Sequence, residues 1–363
     1  MSTKLSQISC AAALLGAATA ALAGQSTPTL GEVIGASAIE ISGYVDTSYT
    51  YSARGVSPVS LRVFDKESNS FNLNMIGLSI SSLPTEGFGG AVVLNAGEDA
   101  NVTAASGSGS GDEFDVQQAY LNYGTGAYKW MLGKFATLHG AEVIESKDDL
   151  NFSRSILFGF AIPFTHTGAR MSYAVSDAVM LMAGINNGWD NLKDNNDAKA
   201  LELAVHYSLA DNWFVNVEAM VGNEVGAIGT SDRRTLLDVV AGFEASDALS
   251  FLVNVDFGRQ DEGTASGDKA DWSGVAGYIN YKLAPDWRIA GRLEYFNDKD
   301  AFRTGIDQTW KEGTVTVAYM PVKSVELRSE VRYDRSNEAV FEDDNGSFED
   351  SQTTVALEAI YKF

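Results

Sequence analysis

The segment LEAIYKF, residues 357–363, decides the fold of this 363-residue chain. Every second residue counted back from Phe363 is apolar, and the residues between them are largely polar or small. This period of two residues is that of a β-strand whose two faces meet different surroundings. A chain terminus is usually polar and frayed, so an aromatic tip on such a strand predicts an apolar environment outside the protein.

The same alternation recurs along the chain between short, similar turns. Clear examples are residues 213–221, 249–257 and 287–295, and the turns lie around Asp177, Asp211, Asp247 and Asp286. An aromatic residue on the apolar face precedes each of these turns, and its recurrence every ~34 to 42 residues indicates a repeated two-stranded unit. These aromatic residues are Tyr173, Tyr207, Phe243 and Tyr281.

Three features distinguish a membrane barrel from a soluble sheet sandwich, which would also alternate. The strands run to about ten residues, which suits a tilted bilayer crossing better than a soluble sheet. Short turns alternate with long polar loops, and aromatic residues mark strand ends on the apolar face. An open edge in hydrocarbon would leave backbone groups unpaired. We therefore predict an all-β fold, a closed transmembrane antiparallel β-barrel of about 16 strands with short periplasmic turns and long extracellular loops.

The predicted long loops follow the odd-numbered strands, and a barrel of this size leaves an aqueous channel. The alternation is poor near residues 71–75 and 114–118, where the register of the strands is not defined by the sequence. The predicted loops are residues 53–70, 98–113, 136–163, 188–199, 223–234, 259–271, 297–307 and 335–350.

Residues 1–23 are predicted to be a secretory signal peptide, which leaves residues 24–363 as the barrel domain. Lys4 precedes an apolar stretch, residues 8–20, that is too short for a membrane-spanning helix, and Ala-Leu-Ala at 21–23 suits cleavage. Cys10 is the only cysteine, so the mature chain would have neither a disulfide nor a cysteine metal site. The net charge of −22 argues against nucleic acid as a partner.

The third loop, residues 136–163, is the longest, and we expect it to fold into the lumen and narrow the pore, although a solvated surface loop is the plain alternative. Its charged residues, and arginines on the inward strand faces, are the candidate pore-lining residues. Basic strands facing acidic loop residues would set a transverse field, or the same charges would form a network of ion pairs that stiffens the barrel. The candidates are Glu142, Glu145, Asp148, Asp149 and Arg154 on the loop, and Arg170, Arg288, Arg292, Arg328 and Arg332 on the strands.

The amino-acid sequence around the third loop also resembles that of a known family. The stretches GKFATLHGAEVIESKDDLNFSRS (133–155), PFTHTGARMSY (163–173) and GINNGWD (184–190) are similar to the OmpL-like β-barrel porin family of Gram-negative bacteria. The resemblance implies an outer-membrane channel and no defined catalytic constellation. The PEFGG-type motif in the constriction loop of many general porins is absent from this sequence.

These observations predict a passive diffusion channel for small hydrophilic solutes and ions, with a cation preference because acids outnumber bases on the inward faces. The alternatives are a solute-selective porin with a binding site at the third loop, and a structural or adhesive barrel without an open pore. An enzyme is disfavoured because no nucleophile lies in a motif such as G-x-S-x-G, and no cofactor or metal is expected. The expected partners are outer-membrane lipids, the barrel assembly machinery through the Phe363 strand, and two further copies in a homotrimer.

Overall fold

The computed structural model of the protein describes residues 38–106, 113–210, 212–226 and 229–363. The predicted signal peptide, residues 1–23, and the start of the predicted mature chain lie outside these described residues. The barrel itself occupies Glu40–Phe363.

Sixteen long antiparallel strands form one closed barrel, in which each strand pairs with its neighbours along the chain. A further two-stranded sheet, β16 and β17, lies in the last loop. In chain order the strands are β1 (Glu40–Ser52), β2 (Phe71–Ser82), β3 (Gly87–Ala96), β4 (Phe114–Thr125), β5 (Tyr128–Ala136), β6 (Thr165–Ser176), β7 (Val179–Asn186), β8 (Ala200–Ala210), β9 (Trp213–Val225), β10 (Ser231–Ser246), β11 (Leu249–Gln260), β12 (Ala270–Ala284), β13 (Trp287–Asp298), β14 (Gln308–Val322), β15 (Val325–Ser336), β16 (Phe341–Glu342), β17 (Phe348–Glu349) and β18 (Ser351–Lys362).

The barrel closes where the first strand meets the last. β18 pairs with β15 on one side and with β1 on the other, from Tyr44 opposite Lys362 to Ser52 opposite Thr354. Gly43 and Phe363 exchange two backbone hydrogen bonds of 2.9 Å, which extends the pairing to the last residue. The predicted fold, a closed antiparallel barrel of 16 strands, is confirmed.

The two faces of each strand differ as the alternation predicts. In β18, Leu357 and Tyr361 are 57% and 52% exposed on the outer surface, whereas Glu358 and Ile360 are 3% and 1% exposed and point inward. Aromatic rings stack across neighbouring strands at the turn ends, for example Trp213 on Phe243 and Trp287 on Tyr319, with centroids 4.3 and 4.5 Å apart. Rings on an outer surface beside an apolar band are typical of a membrane interface.

Two bulges account for the stretches in which the sequence alternates poorly. Asp46 pairs with Met75 but Thr47 pairs with Leu73, so residue 74 is the extra residue of a bulge in β2. Residue 117 is skipped in the same way in β4, between the partners of Val93 and Leu94. A bulge adds one residue to one strand, and it therefore shifts the apolar and polar positions by one.

Three of the predicted loops differ from the structure. The expectation of a loop at 223–234 was wrong in its bounds, because β9 continues to Val225 and β10 begins at Ser231. The ends of β9 and β10 are polar because these strands extend beyond the apolar band of the barrel. Their polar residues still pair with the neighbouring strand, so a polar stretch does not by itself mark the end of a strand. The loop after β3 contains a short helix, α1 (Glu98–Thr103), and the last loop contains the β16–β17 hairpin. Within the ranges that the structure describes, no helix is long and apolar enough to span a membrane.

Candidate functional site

The third loop, which we define as residues 137–164 between β5 and β6, contacts the inward side chains of distant strands. Arg292 of β13 is buried and donates from Nη1 to Glu142 Oε1 at 2.8 Å and to the carbonyl oxygen of Ser153 at 2.6 Å. Arg332 of β15 donates to the carbonyl oxygen of Arg154 at 2.6 Å. These charge-assisted bonds are stronger than neutral ones, and they fasten the loop to the inner face of the barrel.

Arg328 of β15 holds the first half of the loop. Its two terminal nitrogens donate to the carbonyl oxygens of Ser146 at 3.0 Å and Asp149 at 2.9 Å. Glu326 and Glu358 neutralise the same guanidinium at 2.8 and 3.1 Å. Arg328 therefore donates hydrogen bonds to the loop backbone and also forms ion pairs with carboxylates of the strands.

Two carboxylates of the strands accept hydrogen bonds from the loop backbone. Glu330 accepts from the amides of Phe152 and Ser153 at 2.7 and 3.1 Å. Glu294 accepts from the amides of Ile156 and Leu157 at 3.0 and 3.2 Å. The sequence places both glutamates on inward faces, but it gives no signal that they accept hydrogen bonds from backbone amides, which Glu294 does in addition to its ion pair with Arg292.

Arg154 folds the loop onto itself. Its Nε lies 3.0 Å from Asp149 Oδ2, and its other nitrogens donate to the carbonyl oxygens of Phe152 and Ile144. Burial raises the pKa of Asp149 to about 7, against the lowering effect of the Arg154 charge. The acidic and basic residues of the loop thus neutralise each other.

The structure brings six of the ten candidate residues together, joins Arg288 to them through Glu326, and leaves the other three outside this network of ion pairs. Glu142, Asp149 and Arg154 meet Arg292, Arg328 and Arg332, as described above. Arg170 lies elsewhere, where it donates to Glu202 at 2.6 and 3.0 Å and stacks on the ring of Phe135. Arg288 shares Glu326 with Arg328. Asp148 is exposed beside Lys147, and burial raises the pKa of Glu145.

The apolar part of the third loop, SILFGFAIPF (155–164), packs inside the barrel mouth. Phe158 contacts Phe64 of the first loop, with ring centroids 5.7 Å apart, and Phe160 meets Trp310 at 5.6 Å. The indole nitrogen of Trp272 donates to the carbonyl oxygen of Ala161 at 3.0 Å. Sequence reasoning on charges missed this cluster, although the unbroken apolar run in a loop was its signal.

A row of carboxylates crosses three neighbouring strands on the inward face. Asp238 of β10 lies opposite Glu218 of β9 and opposite Asp256 of β11, and all three side chains are at most 2% exposed. His206 meets Glu218 at 2.8 Å, and Asn254 donates to Asp238 at 2.6 Å. Within the described residues, neither carboxylate oxygen of Asp256 has a hydrogen-bond partner. We call Glu218, Asp238 and Asp256 the acidic row.

In the described part of the chain, neither Asp238 nor Asp256 forms a salt bridge with an arginine or lysine, unlike the acids around the third loop. No group of three or more histidine, cysteine or acidic side chains among those residues has the geometry to hold a metal ion. Among the described residues, the row is therefore a cluster of buried carboxyl groups that has a histidine contact but no arginine or lysine partner, and it does not have the form of a metal centre.

A closed barrel with an apolar outer surface, a charged inner face and a loop anchored inside it defines a porin-like barrel, a class of outer-membrane channels. The sequence profile of the family described as "Putative beta-barrel porin-2, OmpL-like" matches residues 38–363. The chain belongs to this family, as its resemblance around the third loop predicts. No curated protein matches the chain in sequence.

Solved structures share the fold at low sequence identity. The outer-membrane channel DcaP of Acinetobacter baumannii superposes with a TM-score of 0.64 at 16% identity, over 90% of this chain and 97% of that one. OmpT of Vibrio cholerae in its trimer form gives 0.61 at 13%, over 90% and 99%. The anion-selective porin of Comamonas acidovorans gives 0.59 at 13%, over 90% and 99%. Of these neighbours, DcaP is described as an outer-membrane channel and the Comamonas acidovorans protein as a porin.

Proposed function

We propose that the protein is a passive diffusion channel of the bacterial outer membrane for small hydrophilic solutes and ions, and that it prefers cations. The observation that carries the proposal is the third loop fastened inside a closed barrel whose inner face is polar. A loop held in this way narrows the lumen without adding a separate plug domain, and charged rings at a narrow point select ions.

The solute path in this proposal runs between the third loop and the strands to which it is not fastened. Beyond its base next to β5 and β6, the loop is bonded to side chains of β1 and of β11 to β15. This leaves the inner faces of β2 to β9 beside the path, and the acidic row begins at its edge on β9. The arginines around the loop are already paired with carboxylates, and the acidic row at this edge consists of carboxyl groups that have no arginine or lysine partner among the described residues.

The proposal is tested by reconstituting the refolded mature protein in a planar bilayer under a potassium chloride gradient. Reproducible open steps with a cation-directed reversal potential are expected. Saturable block by one solute would assign a solute-selective channel instead, and an anion-directed potential would overturn the cation preference.

A barrel without an open pore is the second candidate, and the apolar cluster in the mouth favours it. Trp310, Leu157 and Phe341 are completely buried there, and such packing resists opening. A protein that is shown to be folded by circular dichroism and yet gives no conductance in the bilayer would establish this candidate.

The proposal also covers the export of the protein and its assembly in the outer membrane. Residues 1–23 would direct export and be removed, the β18 strand ending in Phe363 would be recognised by the barrel assembly machinery, and lipids of the outer membrane would surround a homotrimer. The trimer form of the structurally similar OmpT supports the last point. Membrane fractionation, sequencing of the mature N-terminus and light scattering of the purified protein with its detergent subtracted test these points separately.

A further inference from the structure

We propose that the outer surface of β10–β13, at the end next to the long loops, binds a phosphorylated glycolipid of the outer leaflet. This inference rests on the proposed function for the orientation of the barrel in its membrane. The site is a groove of about 450 Å³ on the lipid-facing side, separate from the third loop and the lumen.

Four basic side chains project outward around this groove. Arg233 of β10 and Arg259 of β11 are 61% and 50% exposed, and Lys269 and Lys299, next to the ends of β12 and β13, are 60% and 58% exposed. Arg233 and Arg259 lie on the outer face because they share their strand faces with the exposed apolar residues Leu237, four positions from Arg233, and Phe257, two positions from Arg259. We call these four residues the basic patch.

Three carboxylates lie beside the four cations of the patch, those of Asp261, Asp271 and Asp300, which accepts from the backbone amide of Asp271 at 2.8 Å. Asp261 lies 3.3 Å from Arg233 and 3.4 Å from Lys269, so one carboxylate serves two basic groups. Asp271 holds Arg259 in a two-pronged pair and lies 4.0 Å from Lys299. In a chain with a net charge of −22, such a local excess of basic groups is the reverse of the overall balance. Arginine and lysine in this setting suit the oxygens of a phosphate.

The rest of the groove changes in character with depth. Arg259 and Lys299 lie at the end next to the loops together with the carboxylate of Asp271, and Leu237 and Phe257 line the end nearer the apolar band. Between them the groove is lined by hydroxyl and amide side chains, those of Thr235, Ser273 and Asn297. A phosphorylated glycolipid presents phosphate, sugar and acyl chains in this order. The groove matches that order, with basic groups for the phosphate, neutral hydrogen-bonding groups for the sugar and apolar groups for the acyl chains.

The basic, neutral polar and apolar parts of the groove limit the choice of ligand. A free phosphate would use only the basic end, whereas a neutral lipid would use only the apolar end. A protein partner would need to reach an outer face that also carries exposed apolar residues of the membrane band, Phe257 among them. The phosphorylated glycolipid uses all of the groove, and it resides in the leaflet next to the long loops.

The test measures binding of bis-phosphorylated lipid A to the refolded mature protein in detergent by native mass spectrometry. The double variant Arg259→Ala, Lys299→Ala is compared with Arg335→Ala, which removes an equally exposed arginine from β15, 62% exposed, outside the groove. We expect the double variant to bind about tenfold or more weakly, since each charged hydrogen bond is a strong one. Arg335→Ala should bind as the unchanged protein does.

Two further arms separate the sources of binding. Lipid A without its phosphates should bind at least about tenfold more weakly than the phosphorylated form, and inorganic phosphate at equal concentration should not displace it. Equal binding by the double variant, equal binding of the dephosphorylated lipid, or displacement by inorganic phosphate would each overturn the inference. The assay in detergent needs no open pore. Conductance without lipid binding would therefore reject only this inference, and binding without conductance would reject only the proposed channel.

Discussion

Arg292 of β13 and Glu142 of the third loop form an ion pair inside the barrel, with 2.8 Å between Nη1 and Oε1. Arg292 also lies 2.9 Å from Glu312 and 3.1 Å from Glu294, and its side chain is fully buried. One guanidinium therefore compensates three carboxylates and fastens a loop. Removing one partner of such a buried group leaves the other charges uncompensated.

We expect Arg292→Met to destabilise the folded barrel by about 3–5 kcal/mol, the usual cost of breaking a buried ion pair from one side. The third loop should also lose the bonds from Arg292 to Glu142 and to the carbonyl oxygen of Ser153, so single-channel records should show larger or noisier steps. Urea unfolding in detergent and planar-bilayer recordings measure the two effects.

Arg335→Ala is the matched control for the Arg292 prediction. Arg335 pairs with Asp350 at 3.3 Å, but both side chains are more than half exposed. Exposed pairs contribute about 0–1 kcal/mol, so this variant should unfold and conduct like the unchanged protein. Equal losses in the two variants would show that Arg292 does not fasten the loop.

The close packing of β1 between β2 and the end of the last strand makes a glycine necessary at position 43. A Cβ at Gly43 would lie 2.5 Å from Phe363 Cζ and 2.7 Å from the backbone oxygen of Gly77. The phenylalanine ring can turn away, but the backbone oxygen cannot move without breaking the pairing of β1 and β2. We expect Gly43→Ala to lower the midpoint of thermal unfolding and to slow refolding of the barrel.

Gly277→Ala serves as the comparison, because a Cβ at this position in β12 would meet nothing within 4 Å. It should leave the midpoint unchanged or raise it slightly, since alanine restricts the unfolded chain more than glycine does. Circular dichroism at the strand band, recorded while heating, distinguishes the two variants. A larger loss in Gly277→Ala would contradict the account of barrel closure.

A carboxyl group in α1 makes the stability of the protein depend on pH. Burial raises the pKa of Asp99 from 3.8 to about 8, against the lowering effect of Arg154. Between these two values the folded protein holds a proton that the unfolded chain has released. Folding stability from this group is therefore complete below pH 3.8 and is lost as the pH rises toward 8.

We expect Asp99→Asn to stabilise the protein at pH 8 and to change little at pH 4, because asparagine does not titrate. The midpoint of thermal unfolding at both pH values measures the difference. Asp177→Asn, in an exposed turn, is the control and should behave alike at the two pH values. A gain for Asp99→Asn that is the same at both pH values would exclude titration of Asp99 as its cause.

The sequence predicts the barrel well because each strand repeats the same two-residue alternation, and even one strand such as β18 carries it completely. The sequence does not locate the bulges at residues 74 and 117, because one inserted residue reverses the alternation and no residue type marks the insertion. It also misplaces the ends of β9 and β10, where pairing continues into polar sequence.

The candidate site could be predicted in its residue types but not in its partners. The alternating charges of VELRSEVRYD (325–334) identify Arg328 and Arg332 as inward, yet their acceptors include carbonyl oxygens about 180 positions away in the chain, at Ser146 and Arg154. Backbone acceptors have no sequence signature. The acidic row is likewise formed by register between strands, which a linear pattern does not give.

The acidic row is expected to influence the ion selectivity of the channel. Among the described residues, neither carboxylate oxygen of Asp256 has a hydrogen-bond donor, and Asp238 has one such oxygen beside the oxygen that accepts from Asn254. We expect the double variant Asp238→Asn, Asp256→Asn to shift the reversal potential of the channel toward zero under a potassium chloride gradient. Amide side chains are nearly the same size as the carboxylates, so the conductance itself should change less than the selectivity.

The electrostatic origin of this effect can be checked by salt and by a control variant. At an ionic strength of 1 M the screening length falls to about 3 Å, so the unchanged protein and the variant should then approach each other in selectivity. Asp177→Asn removes a carboxylate from an exposed turn and should leave the reversal potential as it is. A double variant that keeps full cation preference at low salt would move the origin of selectivity away from the acidic row, to the carboxylates that the structure pairs with arginines.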